Sequence, residues 1–285
     1  MPKLTEGARS AEAFRERRRA RVKTILTILA ALVLAPLTAV AGMAVPGNGY
    51  YLSGTLIVLY AIVPFFVSFE GRRPTAREIA VVAVLTALAV AARAAFIWVP
   101  HFKPMAAVIM IAGLAAGPQT GFLVGSVAAL ASNFIFGQGP WTPWQMLAFG
   151  VAGLVAGLLA DARVFPRANL SWPRRIALAT VGFVLIVGLV GPILDTSTFF
   201  YLSTAPTPEL AAVVYLAGLP VNAIHGAATA LTLLVVANPL LDQLARVRVK
   251  YGLLDRSRPN YPSVAPQPPA SRVSAVVGSR ASLHR

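Results

Sequence analysis

Residues 174–194 read RRIALATVGFVLIVGLVGPIL, and this stretch indicates the class of fold. After its two arginines, nineteen consecutive residues carry no charged side chain. A helix needs about 20 apolar residues to cross a bilayer, so the stretch predicts a transmembrane helix. The whole chain agrees: 57% of its 285 residues are hydrophobic, 12% are charged, and the mean hydropathy is +0.70. A soluble domain carries about 25% charged residues, so the composition predicts a membrane protein.

Seven other apolar segments predict further helices, at 24–45, 50–69, 76–99, 104–117, 120–136, 144–161 and 212–238. The predicted fold class is therefore all-α, a polytopic membrane helix bundle. Its predicted parts are a basic arm (1–23), an extra helix pair (24–69), a six-helix core (70–250) and a disordered Pro-, Ser- and Arg-rich tail (251–285). The segment 104–117 would be only about 21 Å long, so it must thin the bilayer, tilt little or be buried among other helices.

Lysine and arginine are concentrated in alternate connections. They occur in the arm at 1–23, at 70–78, at 162–175 and after the last helix, whereas the other connections contain one basic residue, Lys103. Cytoplasmic connections of membrane proteins are enriched in these residues, so both termini are predicted to be cytoplasmic. The same distribution attributes the net charge of +15 to topology and anionic lipid rather than to nucleic acid. The long arm and its full-length apolar run predict a retained first helix, not a signal peptide.

The stretch NFIFGQGPWTPWQM (133–146) is predicted to lie at the outer mouth between two helices. Its amides and rings suit a neutral or weakly polar organic ligand, and its glycines and prolines suit a stiff loop. We take as candidate ligand-binding residues Asn133, Gln138, Trp141, Trp144 and Gln145. Interfacial belt positions are the alternative for the two tryptophans.

Five more polar residues are candidates for the same site: Arg93, His101, Lys103, Asn222 and His225. Arg93 lies about two turns inside its helix, where a charge is either functional or reaches the interface along its own stem. Asn222, His225 and Thr229 share one helix face, which indicates either ligand contact or hydrogen bonding between helices. The aromatic segment 195–209 is predicted to be an outer loop that could close over the site.

Several chemistries find no support in the sequence. It has no cysteine, no GxxxxGK[ST] and no HExxH, so neither a thiolate metal site, a P-loop nor a zinc protease is predicted, and no cofactor or catalytic residue is assigned.

The block from about 76 to 250 resembles the substrate-binding S components of energy-coupling factor (ECF) vitamin transporters. The resemblance is carried by six predicted helices, by Ala83, Ala87 and Ala91 spaced four apart, and by HFKP, AGPQTGFLVG, SNFIFGQGPWTPWQM and NAIHG. This text looks like the group found near cobalamin and related vitamin functions. The alanine spacing alone is common in membrane bundles.

The resemblance implies a substrate-binding subunit that is not an enzyme. It would capture a vitamin or precursor at the outer face. It would then dock through Ala83, Ala87 and Ala91 on a transmembrane T component coupled to two cytosolic ATPases, and topple to release the vitamin inward. The extra N-terminal helix pair and the tail depart from the common pattern. Two alternatives remain: a self-sufficient secondary transporter that uses Arg93 and His225 in a relay, and a structural or assembly membrane protein.

Overall fold

A computed structural model describes residues 76–202 and 207–251, together with positions 37, 38, 41, 52, 53 and 56. The predicted arm, the tail from 252 onward and nearly all of the extra helix pair lie outside the described residues. The helices are α1 (Ala76–Ala95), α2 (Met105–Ala116), α3 (Pro118–Phe136), α4 (Thr142–Asp161), α5 (Trp172–Leu185), α6 (Gly191–Leu202) and α7 (Pro208–Tyr251). A π-helical turn, Ile186–Val190, joins α5 to α6. The predicted all-α bundle is confirmed.

Four helical runs of the described chain are long and apolar enough to cross a membrane: Pro118–Phe136, Thr142–Asp161, Trp172–Phe200 and Pro208–Val247. The apolar part of α1, Ile79–Ala95, and the whole of α2 are shorter. Together these elements account for the six helices predicted for the core.

The short helix α2 forms the centre of the bundle. Every residue from Met105 to Ala115 is buried, and α2 contacts α1, α3, α4 and α7. Its sequence, MAAVIMIAGLAA, has no polar face, which is typical of a helix enclosed on all sides. The sequence left three possibilities for this short segment: it could thin the bilayer, tilt little or be buried among other helices. The structure shows that it is buried among other helices.

Helices α3 and α4 pack with their backbones nearly touching, through Gly121 and Gly153. A Cβ atom added to Gly153 would lie 2.2 Å from the carbonyl oxygen of Gly121. Glycine at both positions allows an approach that any side chain would prevent. Gly121 lies near the N-terminal end of α3, so this crossing is toward the opposite end of the α3–α4 pair from the polar residues of the quoted stretch.

The prediction of an outer loop at 195–209 is wrong for most of its length. The chain remains helical to Leu202, and Phe199 and Phe200 are buried in the bundle. The hydroxyl of Thr196 donates to the carbonyl of Pro192 at 2.7 Å, as serine and threonine do inside membrane helices. Two of the polar side chains that suggested a loop, Thr196 and Thr198, thus donate to backbone carbonyls of their own helix.

The last helix is longer than predicted, because α7 extends from Pro208 to Tyr251 instead of covering 212–238. Pro220 and Pro239 both lie inside it without ending it. Proline is tolerated in membrane helices because neighbouring groups compensate for the lost hydrogen bond.

Candidate functional site

Arg93 is the centre of a buried polar cluster at one end of the bundle. It lies in the last turn of α1 and is 7% exposed. Its Nη1 donates to the hydroxyl oxygen of Ser132 at 2.5 Å and to Oδ1 of Asn133 at 3.0 Å. The guanidinium carbon lies 4.4 Å from the ring centroid of Phe136. Arg93 is therefore held against α3 and does not reach outward along its own stem.

Asn133 links the residues of this cluster on α3 to those on α4. Its Nδ2 donates to the hydroxyl of Thr142 at 2.9 Å and to Oε1 of Gln145 at 2.8 Å. The Thr142 hydroxyl in turn donates to Oε1 of Gln138 at 2.9 Å. We call these residues the Arg93 network: Arg93, Ser132, Asn133, Gln138, Thr142 and Gln145. Four of the six are candidates from the sequence, and Ser132 and Thr142 were missed although they lie in or next to the quoted stretch.

Lys103 approaches the same aromatic ring. Its Nζ lies 5.4 Å from the ring centroid of Phe136. Burial, and then the charge of Arg93, lowers the pKa of Lys103 below its usual value. The charges of Lys103 and Arg93 act electrostatically on His225, which is 9% exposed. The structure thus brings together three basic residues, one each from α1, the connection that follows it and α7.

Aromatic side chains line the neighbouring part of the bundle. The His225 ring lies 5.8 Å from that of Phe149, and Trp144 stacks on Phe200 at 5.8 Å. The Nε1 of Trp144 and the Nε2 of His225 are buried and have no hydrogen-bond partner among the described residues. Phe149 was not predicted, because an apolar ring in an apolar helix gives no distinguishing signal, and Phe200 was placed in the predicted outer loop.

The two tryptophans of the quoted stretch have different environments. Trp144 is 2% exposed and lies inside the bundle, whereas Trp141 is 36% exposed. A Cβ atom on Gly139 would lie 2.4 Å from the Trp141 ring, so this glycine leaves room for the indole. Gly137 has φ of +103°, the unusual backbone angle expected at one of the two glycines. The non-helical part of the stretch is only 137–141, so the predicted loop is shorter than the motif.

Asn222 lies apart from the Arg93 network. Its Nδ2 donates to Oδ2 of Asp195 at 2.8 Å, which joins α7 to α6. Thr229 donates to the backbone oxygen of His225 at 2.9 Å, within its own helix. The residues of the predicted polar face of α7 therefore have different environments. Asn222 contacts α6, whereas His225 belongs to the basic cluster. Asp195 was missed because its segment was predicted to be a loop. His101 is exposed, with φ of +59°.

Helix α1 presents two different faces. Leu85, Ala89 and Arg93 are buried against the bundle, while Ala83, Ala87 and Ala91 are exposed. The same helix therefore carries the centre of the polar site and a smooth outward stripe, which we call the alanine stripe (Ala83, Ala87, Ala91).

Within the described ranges, no group of three or more histidine, cysteine, aspartate or glutamate side chains could hold a metal ion. The site consists of amides, hydroxyls, basic groups and aromatic rings inside a bundle of apolar helices. That combination is typical of membrane proteins that bind and transport small organic molecules.

Comparison with known proteins assigns the family. The family described as "ECF-type riboflavin transporter, S component" matches residues 74–246, more than half of the chain, and the chain belongs to this family. It is 30% identical over 154 residues to UPF0397 proteins of Lactococcus lactis subsp. cremoris strains NZ9000 and SK11. The matched region covers 53% of this chain and 77% or 74% of those proteins. No solved structure matches the chain.

This membership makes the chain a multi-pass membrane protein of a transporter family and not a member of an enzyme family. The description of the matched family names riboflavin, so the cobalamin-related grouping suggested by the sequence gains no support.

Proposed function

We propose that this protein is the substrate-binding S subunit of an ECF-type importer and captures a vitamin at the outer face through the Arg93 network. One observation carries the proposal: Arg93 is buried, and its hydrogen-bond partners among the described residues, Ser132 and Asn133, are neutral. A buried charge is costly unless it is paired, and a charge inside a membrane bundle indicates function by default. An electron-rich substrate would supply the missing partner.

Flavins are the first candidates for the substrate. The family description supports them, and so does the chemistry of the site. A flavin has a flat aromatic ring whose edge carries mainly hydrogen-bond acceptors, namely two carbonyl oxygens and two ring nitrogens, beside one N–H donor. The donors of Arg93 suit such an edge, and the rings of Trp144, Phe149 and Phe200 suit its faces. Cobalamin or one of its precursors is the second candidate, on the resemblance of the quoted stretch.

The partners in this proposal are a transmembrane T component and two cytosolic ATPases. The exposed alanine stripe supports docking, because small side chains allow another helix to approach closely. It also lies on the opposite face of α1 from Arg93, so docking and substrate binding need not compete for the same surface. The distribution of lysine and arginine supports a cytoplasmic location for both termini, with the Arg93 network in the outer half.

Ligand binding can be tested by thermal unfolding of the purified full chain in detergent, with riboflavin, cobalamin and other vitamins. A ligand that binds only the folded state at one hundred times its dissociation constant stabilises it by about 2.7 kcal/mol. We expect one vitamin to raise the unfolding temperature of the wild type, and Asn133→Ala to lose that increase.

Asn238→Ala is the matched control. Asn238 also joins distant segments by hydrogen bonds, from α7 to the backbone N–H and carbonyl of Leu170 in the connection before α5, but at the other end of the bundle. The Asn238→Ala variant should be less stable than the wild type, but the vitamin should still raise its unfolding temperature. If folded wild-type protein responds to no vitamin, the secondary transporter and the assembly protein become the better explanations.

Docking can be tested separately with Ala87→Trp. We expect this variant to bind vitamin normally but to lose uptake in cells, because an indole on the alanine stripe holds the partner helix away. Val235→Trp places the same side chain on another exposed helix face, since Val235 is 69% exposed on α7, and it should retain uptake. Uptake by Ala87→Trp at the wild-type rate would refute docking at this stripe.

A further inference from the structure

We propose that Arg93 and Lys103 form an oxyanion site, so that the compound bound by this protein carries a carboxylate or phosphate group. The inference rests on the proposed function, because it concerns the substrate of the same site. It goes beyond that function because riboflavin itself carries no such group.

The first argument is that the two cations share one aromatic ring. The charged groups of Arg93 and Lys103 lie 4.4 and 5.4 Å from the ring centroid of Phe136, so they are at most about 10 Å apart, the sum of these distances. Like charges within this distance repel, and partial burial of both strengthens the repulsion. The Phe136 ring offsets part of that cost through its π face. An anion placed against both would offset the rest.

The second argument is that no carboxylate of the described residues pairs with either cation. The ion pair found in the described chain joins Arg167 to Asp161, at the end of α4 away from the Arg93 network. Asp195 is hydrogen-bonded to Asn222 instead. The Nε–H of Arg93 is buried without a hydrogen-bond partner among the described residues. A purely structural arginine in a bundle is normally paired, so this arrangement indicates a charge that arrives from outside.

The third argument is the chemistry of the two donors. A guanidinium offers two parallel N–H groups that match the two oxygens of a carboxylate or phosphate. An ammonium on a flexible stem adds a point charge that can close on the same group. His225 and Phe149 lie beside these cations, so an aromatic part of the substrate would have rings next to the charged part.

The test uses pairs of vitamins that share a ring and differ in charge: riboflavin and flavin mononucleotide, nicotinamide and nicotinate, biotinamide and biotin. Dissociation constants are measured for the full chain in detergent. For any pair that binds, we expect the anionic member to bind about tenfold more tightly or better, as charge-assisted hydrogen bonds provide.

Variants test whether the preference for the anionic compound arises from Arg93 and Lys103. Lys103→Gln should remove most of the preference for the anion, and Lys103→Arg should keep it. Arg163→Gln removes a cation from the other end of the bundle and should leave the preference unchanged. Equal or tighter binding of a neutral member would overturn the oxyanion site while leaving the proposed function intact. A preference that survives in Lys103→Gln would overturn it as well.

If no pair binds, the proposed function fails for these vitamins, and a second measurement decides the oxyanion site. The wild type and Lys103→Gln are unfolded thermally in sodium pyrophosphate and in sodium chloride of equal ionic strength. Extra stabilisation by pyrophosphate in the wild type alone supports the site. Equal responses of the two proteins overturn it.

Discussion

The contact between α3 and α4 allows a prediction whose size follows from the structure. In Gly153→Ala the new Cβ would lie 2.2 Å from the carbonyl oxygen of Gly121, whereas ordinary contact begins at 3.4 Å. The helices must therefore separate locally by about 1.2 Å, the difference between these distances. The Gly121 oxygen belongs to the backbone, and the backbone also fixes the position of the alanine Cβ, so no side-chain rotation can relieve the clash.

We expect Gly153→Ala to destabilise the protein by about 1–3 kcal/mol, the usual cost of overpacking. The gain in helix propensity from glycine to alanine, about 1 kcal/mol at most, offsets only part of this cost. The 2.8 Å hydrogen bond from Asn133 to Gln145 joins the same two helices, but Asn133 lies twelve residues, about 18 Å, along α3 from Gly121. The expected effect of this local separation is therefore on stability.

The assay is thermal and denaturant unfolding of the full chain in detergent, with and without the vitamin. Gly188→Ala is the matched control, because a Cβ there would have no heavy atom within 4 Å. It should unfold at or slightly above the wild-type temperature. If Gly153→Ala and Gly188→Ala unfold at the same temperature, the inference that α3 and α4 touch through their backbones is refuted.

Two further predictions concern single side chains. Trp144→Ala should cost about 3–5 kcal/mol of stability, because it empties a buried site beside Phe200. Trp141→Ala should cost far less, because Trp141 is partly exposed. Denaturant unfolding compares the two variants, and equal losses of stability would contradict the difference in burial. Because burial lowers the pKa of folded Lys103 below its unfolded value, the unfolded chain binds more protons between the two values, so stability should rise with pH up to about 10.5. Lys103→Gln should flatten this part of the stability–pH profile, and an unchanged slope would show that another group causes it.

Most of the polar residues of the candidate site could be identified from the sequence, because polar residues are rare in these helices. Arg93, Asn133 and Gln145 were identifiable since a charge or amide in an apolar helix is costly and needs a reason. The hydrogen bonds among these three residues were not identifiable, because they join residues of different helices, 12 or 40 positions apart. Trp144 illustrates the limit: the sequence suggested a ligand-binding or interfacial ring at the outer mouth, and packing against Phe200 encloses the ring inside the bundle.

The sequence by itself determined that the chain forms a bundle of membrane helices and where most of them lie, because apolar length is a local property that bilayer thickness selects. It did not determine that α2 would be enclosed, that 195–202 would continue as helix, or that Lys103 would approach the ring that holds Arg93. Those outcomes depend on which helix faces meet, and the close glycine contact between α3 and α4 fixes part of that arrangement. Contacts between distant segments are set by packing in three dimensions, so only the tertiary structure decided them.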